Sequence, residues 1–231
     1  MTANTEDELK KLPEFTSLDE ALRNPESAQR LYLDRQENAA ALVRVEELKN
    51  LVSLSISLSD VSLLLPRLGE LLNLQSLYLQ ACNIPEFPSC ILKVLHLRSL
   101  TIGNSRLENV PEEIGNLANL EELGLSQNAL QELPVSIGKL AKLKRLYLCY
   151  NEIQRVPDSL CELTELRVLS LGVNRLCEVP EAIGHLRNLS NLSLNHNQLR
   201  GLPESICDLI DLQYLSLEHN PLETAPVRTG T

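Results

Sequence analysis

Five times between residues 120 and 226 the chain repeats one phrase: Leu, two variable residues, Leu, one variable, Leu, two variable, Asn, one variable, Leu or Ile, three variable, Pro. The interval is 23 residues, with no insertion or deletion. The Asn falls at Asn128, Asn151, Asn174, Asn197 and Asn220, and the Pro at Pro134, Pro157, Pro180, Pro203 and Pro226. A period of this length means a stack of like units, each burying its apolar face against the next.

The same frame extends backwards in weaker form. The second Leu of the unit runs Leu31, Leu54, Leu77, Leu100, Leu123, Leu146, Leu169, Leu192 and Leu215, so nine copies fit. The Asn position decays to Gln36, Ser59, Cys82 and Ser105, and the Pro position keeps Pro88 and Pro111 before becoming Leu65 and Leu42. The phrase resembles the leucine-rich repeat superfamily over roughly residues 28 to 231, and among its classes the 23-residue intracellular type of Ras-group suppressor relatives and many bacterial proteins. The opening segment is also similar to the way bacterial members begin. The resemblance implies an adaptor or scaffold role in signalling, and bacterial members are sometimes host-directed effectors.

Within a unit, apolar and variable residues alternate with the period of two that marks a strand with one buried face. Identical units stack such strands in parallel, and the bulkier return segments force the sheet to curve. The expected fold is therefore α/β: a right-handed, curved leucine-rich repeat solenoid with a nine-stranded parallel sheet on the concave face and short helical or 3-10 segments on the convex face. Residues 1 to 27 read as an N-terminal helical cap, with Ser17 and Glu20 as a capping box opening a helix through Leu18, Ala21 and Leu22. Residues 28 to 231 read as the repeat domain, its last unit without a clear cap. The Asn column reads as structural: an inward amide satisfies backbone groups that would otherwise be buried unpaired at about 1–3 kcal/mol each. Gly115, Gly138 and Gly184 read as turn positions.

Composition bounds the function. The net charge is −10, and no Lys or Arg cluster of the kind phosphate binding needs is visible, so no nucleic-acid partner is expected. Part of the acidity is structural, because Glu112, Asp158, Glu181 and Glu204 follow prolines where a back segment would begin. No apolar run approaches the roughly 20 residues of a membrane span, so no membrane partner is expected. Cys82, Cys90, Cys149, Cys161, Cys177 and Cys207 lie at scattered phases of the repeat. Free thiols, a reducing compartment and a cytoplasmic location are the expectation.

Four columns of strand-side residues can be read from the frame, and all five tyrosines, Tyr32, Tyr78, Tyr147, Tyr150 and Tyr214, fall in them. Tyr offers a large rigid contact with a polar tip at binding surfaces, although it also favours strands. The C-terminal half is the richer: Glu122, Gln127, Arg145, Tyr147, Tyr150, Val168, Val173, His196, Tyr214 and His219 form a candidate patch for a protein or peptide partner. The alternatives are an enzyme or metal-binding protein using His196, Glu218 and His219, with Cys149 as a conceivable nucleophile, or self-association through the strand edge at residues 212 to 218. The primary reading is a non-catalytic interaction scaffold that needs no cofactor and no metal.

Overall fold

A computed structural model describes residues 9–34 and 38–224. The expectations placed on Arg35, Gln36, Pro226 and the residues after it lie outside that range, as does the start of the segment read as a cap.

Each unit supplies one strand, as its period of two requires. The strands are β1 (Glu14–Phe15), β2 (Arg30–Leu33), β3 (Ser53–Ser57), β4 (Ser76–Gln80), β5 (Ser99–Gly103), β6 (Glu122–Gly124), β7 (Arg145–Tyr147), β8 (Val168–Ser170), β9 (Asn191–Ser193) and β10 (Tyr214–Ser216). They form one all-parallel sheet in chain order. Register follows the sequence frame throughout: Leu31, Leu54, Leu77, Leu100, Leu123, Leu146, Leu169, Leu192 and Leu215 are successive Cα partners. The sheet has ten strands where nine were expected. The extra strand is β1, which pairs Glu14 with Arg30 and Phe15 with Leu31, and Glu14 makes an ion pair with the Arg30 guanidinium. It satisfies backbone groups of β2 that would otherwise stand at an open edge. The helix expected over 18 to 22 forms as α1 (Leu18–Arg23), with the Ser17 side chain accepting from the Glu20 N–H and Leu18 and Ala21 buried.

The return segments are mostly single 3-10 stretches, at Leu65–Glu70, Ser89–Lys93, Glu112–Asn116, Val135–Lys139, Asp158–Glu162, Glu181–His185 and Glu204–Asp208. The return segment after β2 adds a short helix, α2 (Ala39–Leu42), running into a 3-10 stretch at Val43–Glu47. Six of the 3-10 stretches are preceded by a proline: Pro88, Pro111, Pro134, Pro157, Pro180 and Pro203. The fixed φ of proline starts such a turn, where a missing N–H costs nothing. Between sheet and return segments lies a single apolar cluster that runs from Leu18 to Leu209. At the last described strand the pattern thins: Leu215 is 39% exposed while its counterpart Leu192 is 0%.

One expectation about the return side needs correction. No described glycine has a positive φ, so Gly115, Gly138 and Gly184 are not turn-formers. They lie inside the 3-10 stretches because neighbouring units approach too closely for a side chain: a Cβ on Gly138 would stand 2.4 Å from the Ser159 carbonyl oxygen. Glu112, Asp158, Glu181 and Glu204 stand in the first turns of their 3-10 stretches, as expected, and Glu112 also reaches the next unit. Glu112 accepts from the N–H groups of Ser136 (2.9 Å) and Val135 (3.0 Å), so it caps the return segment of the next unit. Those donors, Ser136 first, hold its carboxyl below the usual carboxylate range.

Candidate partner-binding face

The ten candidate residues lie on one surface, delivered by two devices. The first is strand alternation. Glu122, Arg145, Val168, Asn191 and Tyr214 are successive register partners across β6 to β10, and Tyr147 sits between Gly124 and Ser170 in the next column. Arg145 and Glu122 neutralise each other, with Nε and Oε2 2.6 Å apart. Tyr214 is 53% exposed, while Tyr147, Val168, Arg145 and Glu122 are half-buried among their neighbours.

The second device was not anticipated. Gln127, Tyr150, Val173, His196 and His219 follow their strands at the turn and have φ of 59°, 59°, 56°, 52° and 57°. Leu58, Ala81 and Asn104 occupy the same place in earlier units, with φ of 55°, 55° and 48°. Side-chain-bearing residues pay a steric penalty in this left-handed region, and a β-branched residue such as Val173 is a genuine outlier there. The surroundings impose the conformation: Gln127, Tyr150, Val173 and His196 each donate their N–H to a carbonyl of the following unit at 2.7–3.1 Å. A row of side chains is thereby held on a backbone fixed by the repeat, and Tyr150 is 56% exposed in it.

Behind that row stands the Asn ladder, which performs the structural role read from the sequence. Asn174 donates to the carbonyls of Leu148 and Leu171, both at 3.0 Å, and accepts from the Ile153 N–H at 3.0 Å. Asn151, Asn197 and Asn220 repeat the pattern, each reaching the previous unit and its own. Cys82 keeps a long contact to the Ile56 carbonyl of the previous unit (3.6 Å), and Ser59 and Ser105 donate to the carbonyls of Ser57 and Gly103 in their own turns. A second ladder escaped the sequence reading. Asn50, Asn73, Asn119 and Asn188 each donate to a backbone carbonyl 24 residues earlier, at 2.7–3.1 Å, tying the entrances of the strands together. Its signal was an Asn before the first Leu of the unit, blurred by His96, Lys142, Glu165 and Asp211 at the same phase.

The alternative constellation does not assemble as a metal site. The imidazoles of His196 and His219 stack face to face, with centroids 4.1 Å apart and planes 16° apart, so their nitrogens do not converge on one point. Glu218 accepts from the Ser216 hydroxyl instead. That hydrogen bond first, then a backbone N–H and the nearby His219 and His196, hold its carboxyl below the usual range. Among the described residues no group of three or more His, Cys, Asp or Glu side chains is placed to hold a metal ion. Cys149 faces the Ser126 hydroxyl at 3.1 Å, which supplies no base to activate a thiol.

Comparison with known proteins agrees with this architecture. Residues 88–172 match the family model described as a leucine-rich repeat region, and residues 179–222 match a second leucine-rich repeat model. A leucine-rich repeat protein of Leptospira interrogans is similar at 30% identity with a TM-score of 0.79, over 93% of this chain and 61% of that one. This chain thus spans less than two thirds of that protein's length. An internalin of Listeria monocytogenes shares the fold at 19% identity and a TM-score of 0.61, over 96% of this chain and 75% of its own. The leucine-rich repeat ectodomain of an Arabidopsis thaliana receptor kinase is similar at 30% identity and a TM-score of 0.51, over 56% of this chain and 74% of that one. The search of curated proteins gave no match. The chain belongs to the leucine-rich repeat superfamily.

Proposed function

We propose that this chain is a non-catalytic adaptor that binds a protein or peptide through the C-terminal part of its concave face, at Glu122, Gln127, Arg145, Tyr147, Tyr150, Val168, Val173, His196, Tyr214 and His219. One observation carries the reading. The row from Gln127 to His219 is held at positive φ in five successive units, presenting a mixed aromatic, aliphatic and polar surface on a rigid frame. Binding through pre-ordered groups loses little conformational entropy on association, and Tyr is favoured at the centres of such contacts.

The six cysteines are unpaired, which fits work in the reducing cytoplasm. The 23-residue intracellular type and a signalling role belong to the same proposal. Among the described residues no helix is long and apolar enough to cross a membrane.

The test is capture from an extract of the native cell by wild type and by the double variant Tyr147→Ala with Tyr150→Ala, matched for thermal stability. Loss of one specific partner in the variant is expected. Capture of the same partner at the same level would exclude the patch.

A further inference from the structure

The two edges of the sheet are finished differently. At one end β1 pairs with β2, and α1 lies against both strands. At the other, among the described residues, no strand pairs with the outer edge of β10. The core is uncovered at the same place: Leu215 is 39%, Leu222 37% and Ile210 79% exposed, whereas Leu192 and Leu199, the counterparts of Leu215 and Leu222 one unit earlier, are fully buried.

The backbone groups on this edge follow from the register. The N–H groups of Leu125, Leu148, Leu171 and Leu194 each donate to the following unit, so the Leu217 N–H at the same phase points away from β9. By the period of two, Leu215 turns both its N–H and its carbonyl the same way. The carbonyls of Lys144, Arg167 and Ser190 accept from the following unit, so the Gln213 carbonyl also faces outward. These three residues are not equivalent. The Gln213 N–H is turned back to the Ser190 carbonyl at 2.8 Å, and the Leu217 carbonyl already accepts from the Asn220 side chain at 2.9 Å. Along the edge, Gln213 thus offers an acceptor, Leu215 a donor and an acceptor, and Leu217 a donor.

Turned through half a revolution, that order is its own complement. We propose that the outer edge of β10 pairs antiparallel with β10 of a second copy, about a two-fold axis at Leu215, to close a tail-to-tail dimer. In this register the two Leu215 residues exchange both bonds, as in the hydrogen-bonded pair of an antiparallel ladder, and each Leu217 N–H meets the other copy's Gln213 carbonyl. Opposed residues share a face, so the exposed Leu215 side chains cover each other on the core side and Tyr214 stands opposite Ser216 on the concave side. The same register brings the Asp211 carboxylate opposite the basic His219 of the second copy, twice by symmetry; both are exposed. An unrelated strand would have to bring this order of donors and acceptors together with a basic group, whereas a second copy supplies them by symmetry. Assembly stops at two because β1 already occupies the opposite edge, which forbids head-to-tail growth. The contact is independent of the partner-binding face.

Sedimentation equilibrium of the full chain, combined with amide hydrogen exchange, provides the test. A monomer–dimer equilibrium without larger species is expected. The Leu215 and Leu217 amides should exchange at least threefold more slowly at about ten times the measured Kd than at about a tenth of it. Leu215→Glu sets two carboxylates against each other at the axis and should leave a monomer with the circular dichroism of the wild type. Should that variant fold poorly, the exchange comparison on the wild-type chain decides alone. A chain still monomeric at about 0.5 mM, where a Kd of about 0.1 mM would leave it mostly dimeric, overturns the proposal. So do species larger than a dimer, a dimer whose Leu215 and Leu217 amides gain no protection, and a dimer that a folded Leu215→Glu variant retains.

Discussion

The two halves of the solenoid obey one register yet end their strands differently. From β3 to β5, where the ladder residues are Ser59, Cys82 and Ser105, each strand has five residues; from β6 to β10, where the ladder is Asn, each has three. Side-chain amides account for the contrast. The carbonyls of Leu125, Leu148, Leu171 and Leu194 each accept from two ladder amides, their own unit's and the next one's. Held by side chains, those carbonyls are no longer needed as strand acceptors, although Leu125, Leu148, Leu171 and Leu194 still donate their N–H groups to the next unit. In the units with Ser or Cys at the ladder position the strands run two residues further. The N-terminal half therefore has longer strands and the C-terminal half shorter ones, while the positive-φ turn residue recurs in both, at Leu58, Ala81 and Asn104 as at Gln127 to His219. The identity of one buried residue per unit decides which backbone carbonyls are tied by side chains.

The largest difference between the halves should appear in stability. Asn174→Ala removes three donated bonds, the one to the Gly172 carbonyl long at 3.4 Å, and one accepted bond at a buried position, leaving several backbone groups unpaired and costing about 3–5 kcal/mol. Ser59→Ala loses one bond within its own turn among its contacts and should cost about 1 kcal/mol, both read from denaturant midpoints. On the return side Gly138→Ala forces a Cβ against the Ser159 carbonyl and should cost about 1–3 kcal/mol through overpacking. Equal midpoints for Gly138→Ala and wild type would refute the close-approach reading.

Thiol reactivity offers a chemical version of the same mapping. Burial first, then the charge of Asp158, pushes the Cys161 thiol up to about 11, whereas Cys177 and Cys207 are exposed. At pH 8 in the native state Cys177 and Cys207 should react quickly with an aromatic disulfide reagent, and Cys161 only on unfolding. Fast labelling of Cys161 would show that its unit opens.

The smallest effect concerns charge. Partial burial pushes the Glu121 carboxyl up, but hydrogen bonds from Lys144 (2.9 Å) and Arg98, with their charges, outweigh it and hold the group below its ordinary value. A lowered folded value means that this contribution is present above the unfolded carboxylate range and is lost as pH falls through the folded value. Glu121→Gln should destabilise the protein slightly at pH 7 and flatten the decline in stability below about pH 4. An unchanged pH profile would remove Glu121 from the acid response.

Much of the fold could be read from the repeat. A fixed 23-residue frame dictates which leucines pair, and Leu54, Leu77 and the rest do so; the ladder role of Asn follows because a chain leaving a sheet must satisfy its polar groups. The pairing of Glu122 with Arg145 was implicit in their shared column. Other features carried no pattern. β1 is two residues, Glu14–Phe15, paired at an offset that the repeat does not contain. The positive-φ row is filled by Leu, Ala, Asn, Gln, Tyr, Val and His, none of them glycine, so residue type gives no sign of a conformation that the backbone bonds between successive units impose. The glycines misled in the opposite sense, since the packing of neighbouring units needs their small volume and leaves their torsional freedom unused.

Native-state amide hydrogen exchange, resolved by residue, examines the ladder most directly. The N–H groups of Leu130, Ile153, Leu176 and Leu199 are held by Asn side chains, while at the same phase Cys82 and Ser105 offer no such acceptor to Val61 and Ile84, although both are buried. Protection of Leu130, Ile153 and Leu176 about ten- to a hundredfold above Val61 and Ile84 is expected. Equal protection at all of these amides would contradict the ladder as the source of the difference between the two halves.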